Sequence, residues 1–241
     1  MKDLRIGEVS LTTLTILSAS LLLGAAGCAA SHAVAEPAPA HTDHAPMVTS
    51  IQAKDRLIEG NLRFVQGHPQ HPRQTPDRRA EVATSQRPFA VVIGCADSRT
   101  GPEVLFDQGL GDLFVVRVAG NVLDDHALGS VEYAVDHLHA GTIVVLGHER
   151  CGAVAAARDV VASHGHAEGH VESLVSAIRP AVEATVGQDA EATCRENVRD
   201  VVKALRTSNP ILRPLADAGK ITVVGAYYDL DTGVVTFLSE N

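Results

Sequence analysis

The chain of 241 residues carries 29 Asp and Glu against 20 Lys and Arg, a formal net charge of −9; a nucleic-acid binder would present a basic face instead. Aromatic residues make up only 3% and Trp is absent, which also argues against a stacking platform for bases. The length suits one large α/β domain once tails are removed.

The N-terminal residues stand apart from that domain. Lys2 and Arg5 precede an apolar run from Leu11 to Ala26, and small residues follow in LLLGAAGCAA. This is the three-part layout of an export signal. Cys28, directly after Ala25-Ala26-Gly27, resembles a bacterial lipobox, in which the cysteine is lipidated and becomes the mature N-terminus. Ala25 replaces the usual leucine, Asp3 and Glu8 dilute the positive start, and the run is short for a membrane span. The expectation is an export signal over residues 1–28, a lipid anchor at Cys28, and a periplasmic or cell-envelope location. Residues 29–46 contain SHAVAEPAPAHTDHAP, too rich in Ala and Pro to bury a core, and read as a tether. The folded domain is expected over residues 47–241.

Within it, Ile51, Leu57, Ile58, Leu62, Phe64 and Val65 have mostly helical spacing, closed by Gly67. A polar, Pro-rich loop follows, and PDRRAEVATSQ opens as a second helix. RPFAVVIGC is a first buried strand; after it come a short helical stretch near Pro102 to Phe106 and a second strand, DLFVVRVAG. Leu128, Val131, Val135 and Leu138 line one side of a helix, GTIVVLGH is a third strand, and CGAVAAARDVVASHG opens the next helix. A polar stretch from Ser163 to His170 precedes two helical runs, around Val171 to Val186 and Glu191 to Ser208. The end of the chain is a strand, an Asp231-Thr232-Gly233 turn and a returning strand. Strands alternating with helices imply an α/β fold: a mainly parallel central sheet flanked by helices, with a C-terminal hairpin strand.

In such sheets ligands bind beyond the carboxyl ends of the strands. Cys95 and His148 both sit at such ends, and Cys151 follows three residues after His148 at a helix start. Two readings stand open. Cys95 and Cys151 form a disulfide, as exported thiols commonly do, or the two sulfurs and the imidazole hold a metal. That donor set suits zinc better than a hard cation, and three protein ligands leave a fourth position for water. Asp97 and Arg99 fit the second reading. A free carboxylate this close would close the fourth position, and an arginine two residues on restrains it through a bidentate pair. Cys194, inside a helical run, reads as a small buried residue. His164, His166 and His170 read as incidental residues of a solvated loop, with proton relay or metal capture as the alternative.

CADSR, followed some fifty residues later by GHERCG, resembles the signature of the β-class carbonic anhydrases, and RPFAVVIGCADSR, FDQGLGDLFVVRVAGN, GSVEYAVDHL and VVLGHERCGAV fit that family in order. The resemblance implies one Zn2+ per subunit on Cys95, His148 and Cys151, with Asp97 and Arg99 as a catalytic dyad. It implies reversible hydration of CO2 to bicarbonate, and a homodimer or homotetramer whose cleft lies at a dimer interface. Gln86, Phe114 and Tyr133 match the substrate pocket of the plant-like subtype, and Gly152 either gives an N–H to substrate or permits close packing. Val92 and Thr100 stand where the subtype with an allosteric bicarbonate site has a tryptophan and a valine. The alternatives are hydrolysis of a CO2-like molecule, carbonyl sulfide or carbon disulfide, at the same site, and a zinc-binding module without catalysis.

Overall fold

Five strands and eight helices make up residues 48–239, the part of the chain that the computed structural model describes. The export signal expected over residues 1–28, Cys28 itself and the tether over 29–46 lie outside the described residues. Among the described residues no helix is long and apolar enough to cross a membrane.

The sheet has the order β2-β1-β3-β4-β5, with β1 at Ala90–Gly94, β2 at Leu113–Arg117, β3 at Thr142–His148, β4 at Thr222–Tyr228 and β5 at Val235–Phe237. The first four are parallel; β5 returns antiparallel to β4 after the predicted turn. Every residue of β1 and β3 is buried, which is why these strands are continuous apolar runs without polar alternation. The period of two then divides their side chains between two cores. Val91, Ile93, Ile143 and Val145 pack against α4 (Asp125–Asp136) and α7 (Ala190–Thr207) through Val131, Val135, Val198 and Leu205. Val92, Val144 and Leu146 face α1 (Ser50–Val65) and α3 (Pro102–Leu105) through Ala53, Leu57 and Leu105. The remaining helices are α2 (Pro76–Glu81), α5 (Gly152–Ala162), α6 (Val171–Ala184) and α8 (Leu212–Asp217).

Helix α8 has no counterpart in the sequence reading, which assigned nothing between Ser208 and the strand that begins near Lys220. Pro214 is the third residue of α8, where the backbone N–H has no helical acceptor to lose, so the ring is tolerated.

Helix α1 starts with a capping box between Thr49 and Gln52. It then lies directly on the chain after α3: a Cβ on Gly60 would stand 1.8 Å from the Phe106 carbonyl oxygen. Asn61 Nδ2 donates to the carbonyls of Leu105 at 3.1 Å and Gly233 at 2.9 Å, while its Oδ1 accepts from the Val235 N–H at 2.8 Å. One buried amide thereby joins α1 to α3 and to the C-terminal hairpin. The opposite face of α1 leaves Ile51, Ile58, Leu62 and Val65 exposed in one stripe.

The polar loop after α1 is tied down by Asp107. Its buried carboxylate accepts from the backbone N–H groups of Gln70 at 3.0 Å and His71 at 2.9 Å and from Arg63 Nε at 2.5 Å. Burial opposes the charge, but these donors outweigh it and hold the carboxyl below the usual Asp range. The stabilisation is therefore present above the ordinary Asp pKa, near about 4, and is lost as pH falls through the depressed value. Asp107→Asn is expected to cost about 3 kcal/mol at neutral pH, by leaving Arg63 and two donors short of their charged acceptor. It should also flatten the acid limb of a urea-midpoint-against-pH curve. Asn tolerates the left-handed backbone at this position (φ 44°), so an undiminished acid limb in the variant would disprove the assignment.

Candidate metal centre

Strands β1 and β3 are adjacent and parallel, with Gly94 opposite Leu146, so their carboxyl ends open side by side. Cys95 follows the end of β1, His148 ends β3, and Cys151 caps the start of α5. The fold thus brings three residues from distant parts of the chain to one point. Their donor atoms all lie within 4.8 Å of one another, and all three side chains are buried. Among the described residues this is the one group of three or more such side chains able to hold an ion, so the stretch with His164, His166 and His170 supplies none. Cys95, Cys151 and Cys194 are all free thiols, and the disulfide reading falls.

His148 shows what the site is suited to hold. Its Nδ1 lies 2.8 Å from the Glu149 carbonyl oxygen. A carbonyl only accepts, so Nδ1 carries the proton, and in the neutral ring Nε2 is left with a lone pair. Nε2 is buried and has no hydrogen-bond partner, a costly state for an imidazole nitrogen. The sulfurs are short of positive charge as well. Donation from the Cys151 thiol, against burial, pulls Cys95 down to about 4, with further help from His148 and from the Asp97 and Gly120 N–H groups. Cys151 is correspondingly pushed far up, first by its hydrogen bond to Cys95 and then by burial. The pair shares a proton that a divalent cation would displace. Two sulfurs and an oriented imidazole are the donors that Zn2+ prefers, and the lone pair on Nε2 meets the same need. The residues present fit that ion.

Asp97 stands beside this group and is held away by Arg99. Its Oδ1 accepts from Arg99 Nε at 2.9 Å and from the Arg99 backbone N–H at 3.0 Å; its Oδ2 accepts from Nη2 at 2.7 Å. The Arg99 side chain keeps the Asp97 carboxyl far below the usual range, although burial opposes the charge.

The loop from Cys95 to Thr100 is fixed by a residue the sequence did not mark. Arg117, at the end of β2, donates through Nε to the Cys95 carbonyl at 2.8 Å and through Nη2 to that of Asp97 at 2.5 Å. The available signal was a charge inside the predicted strand DLFVVRVAG. On the other side, the chain between His148 and Cys151 is tied to the hairpin turn. Arg150 pairs with Asp231 at 2.6 Å and 2.9 Å, and Glu149 Oε2 accepts from the Leu230 N–H at 3.1 Å.

Of the pocket residues expected from the resemblance, Gln86 is exposed in the loop before β1. Phe114 packs on the α4 side of the sheet with its ring centroid 6.4 Å from that of Tyr133, which is 48% exposed. Cys95 and Cys151 belong to a different apolar cluster, so one protomer does not gather these aromatics around the three donors. A Cβ on Gly152 would meet nothing within 4 Å of its own chain, so packing within one protomer is not the reason for that glycine. Cys194 is buried on α7, and burial raises its thiol to about 11.

Comparison with known proteins places these residues in a family. The family model described as carbonic anhydrase matches residues 90–235. Carbonic anhydrase 2 of Mycobacterium tuberculosis is 43% identical over 193 residues, 78% of this chain and 92% of the relative. A carbonic anhydrase of Mycolicibacterium smegmatis is 42% identical over 199 residues, 80% of this chain and 96% of that one. Among solved structures, a tetrameric β-carbonic anhydrase of Sordaria macrospora superposes with a TM-score of 0.61 at 27% identity, over 68% of this chain and 87% of the other.

Proposed function

Because the chain belongs to the β-class carbonic anhydrases, we propose that Cys95, His148 and Cys151 hold one Zn2+ per subunit and that the site interconverts CO2 and bicarbonate. When bound, the ion supplies Lewis acidity that makes water a nucleophile near neutral pH. The protein's own contribution is positional. The Glu149 carbonyl fixes the His148 tautomer so that Nε2 faces the ion. Asp97, restrained by Arg99, accepts an O–H from the attacking water and directs its lone pair at the carbon of CO2; the released proton leaves to buffer. Gln86, Phe114, Tyr133 and the Gly152 N–H are assigned to the substrate pocket. Their separation from the donors within one protomer supports a cleft completed by a second copy. The exposed apolar stripe on α1 and the tetrameric relative support a homodimer or homotetramer. Export and a lipid anchor at Cys28 remain part of this proposal, carried by the N-terminal sequence alone.

The single observation behind the metal assignment is the buried, unpartnered Nε2 of His148 beside two sulfurs. The test is zinc per chain and a thiol count on purified protein, with stopped-flow CO2 hydration beside assays on carbonyl sulfide and carbon disulfide. About one zinc per chain with CO2 as the better substrate is expected. Faster turnover of either sulfur compound would transfer the site to the alternative substrate. Bound zinc with no turnover would leave a non-catalytic module, a reading the Asp97–Arg99 pair argues against, since a passive site has no use for a restrained carboxylate.

A further inference from the structure

The Cys95 sulfur accepts two backbone N–H groups, from Gly120 at 3.2 Å and from Asp97 at 3.4 Å. The shorter comes from an unusual place. Gly120 lies in the single helical turn Ala119–Asn121 after β2, in a left-handed conformation with φ 69°. It is wedged so tightly that a Cβ there would stand 2.7 Å from Ile178 Cδ1 and 3.1 Å from Ala153 Cβ. Its carbonyl, in turn, accepts from Asn197 Nδ2 at 2.8 Å. Asn197 is on α7, 2% exposed, and its amide reaches across 77 residues of sequence to this one carbonyl. A buried amide that leaves its own helix to hold a single glycine is a costly choice for filling space, since a leucine would fill it without desolvating a polar group.

We propose that Asn197 is a positioning residue for the metal centre: it fixes Gly120 so that the Gly120 N–H is donated to the Cys95 sulfur, and thereby sets how tightly that sulfur holds the ion. The inference rests on the metal-centre reading above. A hydrogen bond to a coordinating thiolate withdraws charge from it and fixes its orientation, and loss of such an outer partner commonly weakens metal affinity by about 10–100-fold. Arg117 fixes the backbone of the loop that carries Cys95, whereas Asn197 acts on the sulfur itself, through one intermediary residue.

The test uses the full chain loaded with 113Cd2+ and labelled with 15N at glycine. A scalar coupling between the cadmium nucleus and the Gly120 amide proton, carried through the N–H···S bond, is expected in the unsubstituted protein. In Asn197→Leu that coupling should be lost, Gly120 amide exchange should quicken, and zinc release to a chelator should rise by about tenfold or more. Val198→Ala, a truncation of the buried neighbour on the same helix, should lower the melting temperature without changing coupling or release. The proposal is overturned if the cadmium-loaded protein shows no coupling at Gly120, a measurement that needs no variant. It is equally overturned if Asn197→Leu releases zinc within about twofold of the unsubstituted rate, or if Val198→Ala speeds release as much. Failure of the unsubstituted chain to take up Zn2+ or Cd2+ would instead bring down the metal-centre reading together with the inference, so the two failures are told apart by metal content alone.

Discussion

Replacing His148 with alanine is expected to lower bound zinc from about one per chain to below about a tenth, and CO2 hydration by about a thousandfold or more. Two sulfurs alone do not complete the three protein ligands of an open zinc site, and a thousandfold loss corresponds to about 4 kcal/mol of transition-state stabilisation. The same substitution should be mild for the metal-free fold. Truncating a buried side chain leaves a cavity and ordinarily costs about 2–5 kcal/mol. Here it also deletes the unpartnered Nε2, whose burial costs about 1–3 kcal/mol. Because the Nδ1–H bond to the Glu149 carbonyl is lost as well, the metal-free variant should melt somewhat below the metal-free parent, while the zinc-loaded parent melts well above both. Zinc analysis, stopped-flow assay and paired melting curves decide the matter. Retention of stoichiometric zinc in His148→Ala would sink the assignment of the ligands.

Arg99→Ala should separate chemistry from metal binding. The hydrogen bonds of Arg99 run to Asp97 and to the Arg150 carbonyl, none to the three donors. Without it the carboxylate is free to turn toward the ion and occupy the position that water needs. The variant is expected to keep its zinc and lose about a hundredfold in kcat/KM, about 2.7 kcal/mol. Asp97→Asn should lose a similar factor, because an amide cannot accept from both guanidinium nitrogens with two carboxylate oxygens. Fold stability should change little in Arg99→Ala, since half of the Arg99 side chain is in solvent and exposed ion pairs contribute little. Activity of Arg99→Ala within about threefold of the parent would remove the dyad from the mechanism.

The parts of the molecule legible in the sequence were those written in short-range pattern. The apolar runs of β1 and β3 announced buried parallel strands, and a thiol and an imidazole at their carboxyl ends announced a shared site. The Asp231-Thr232-Gly233 turn announced the hairpin that β4 and β5 form. What escaped depends on direction rather than pattern. Nothing local says that the Arg117 side chain turns back onto two carbonyls, or that Asn197 leaves its helix for Gly120. Helix α8 escaped because six residues are too few to show a helical period, and Pro210 beside it and Pro214 within it are poor helix signals. The pocket assigned to Gln86, Phe114 and Tyr133 came from the resemblance alone, and no reading of one chain's periodicity can say which copy of the chain completes it.

The three reduced sulfurs have a consequence for how the protein survives storage. Cys95 and Cys151 lie close enough to share an ion, and the hydrogen bond from Cys151 lowers the Cys95 thiol into the range where it is a thiolate at neutral pH, so stripped of metal they form the most readily oxidised pair the described fold contains. Zn2+ bound in that position would be a protecting group as well as a cofactor. Chelators, more than dissolved oxygen, should set the working lifetime of a preparation, and brief exposure to both should inactivate it in a way that a thiol reductant followed by zinc restores.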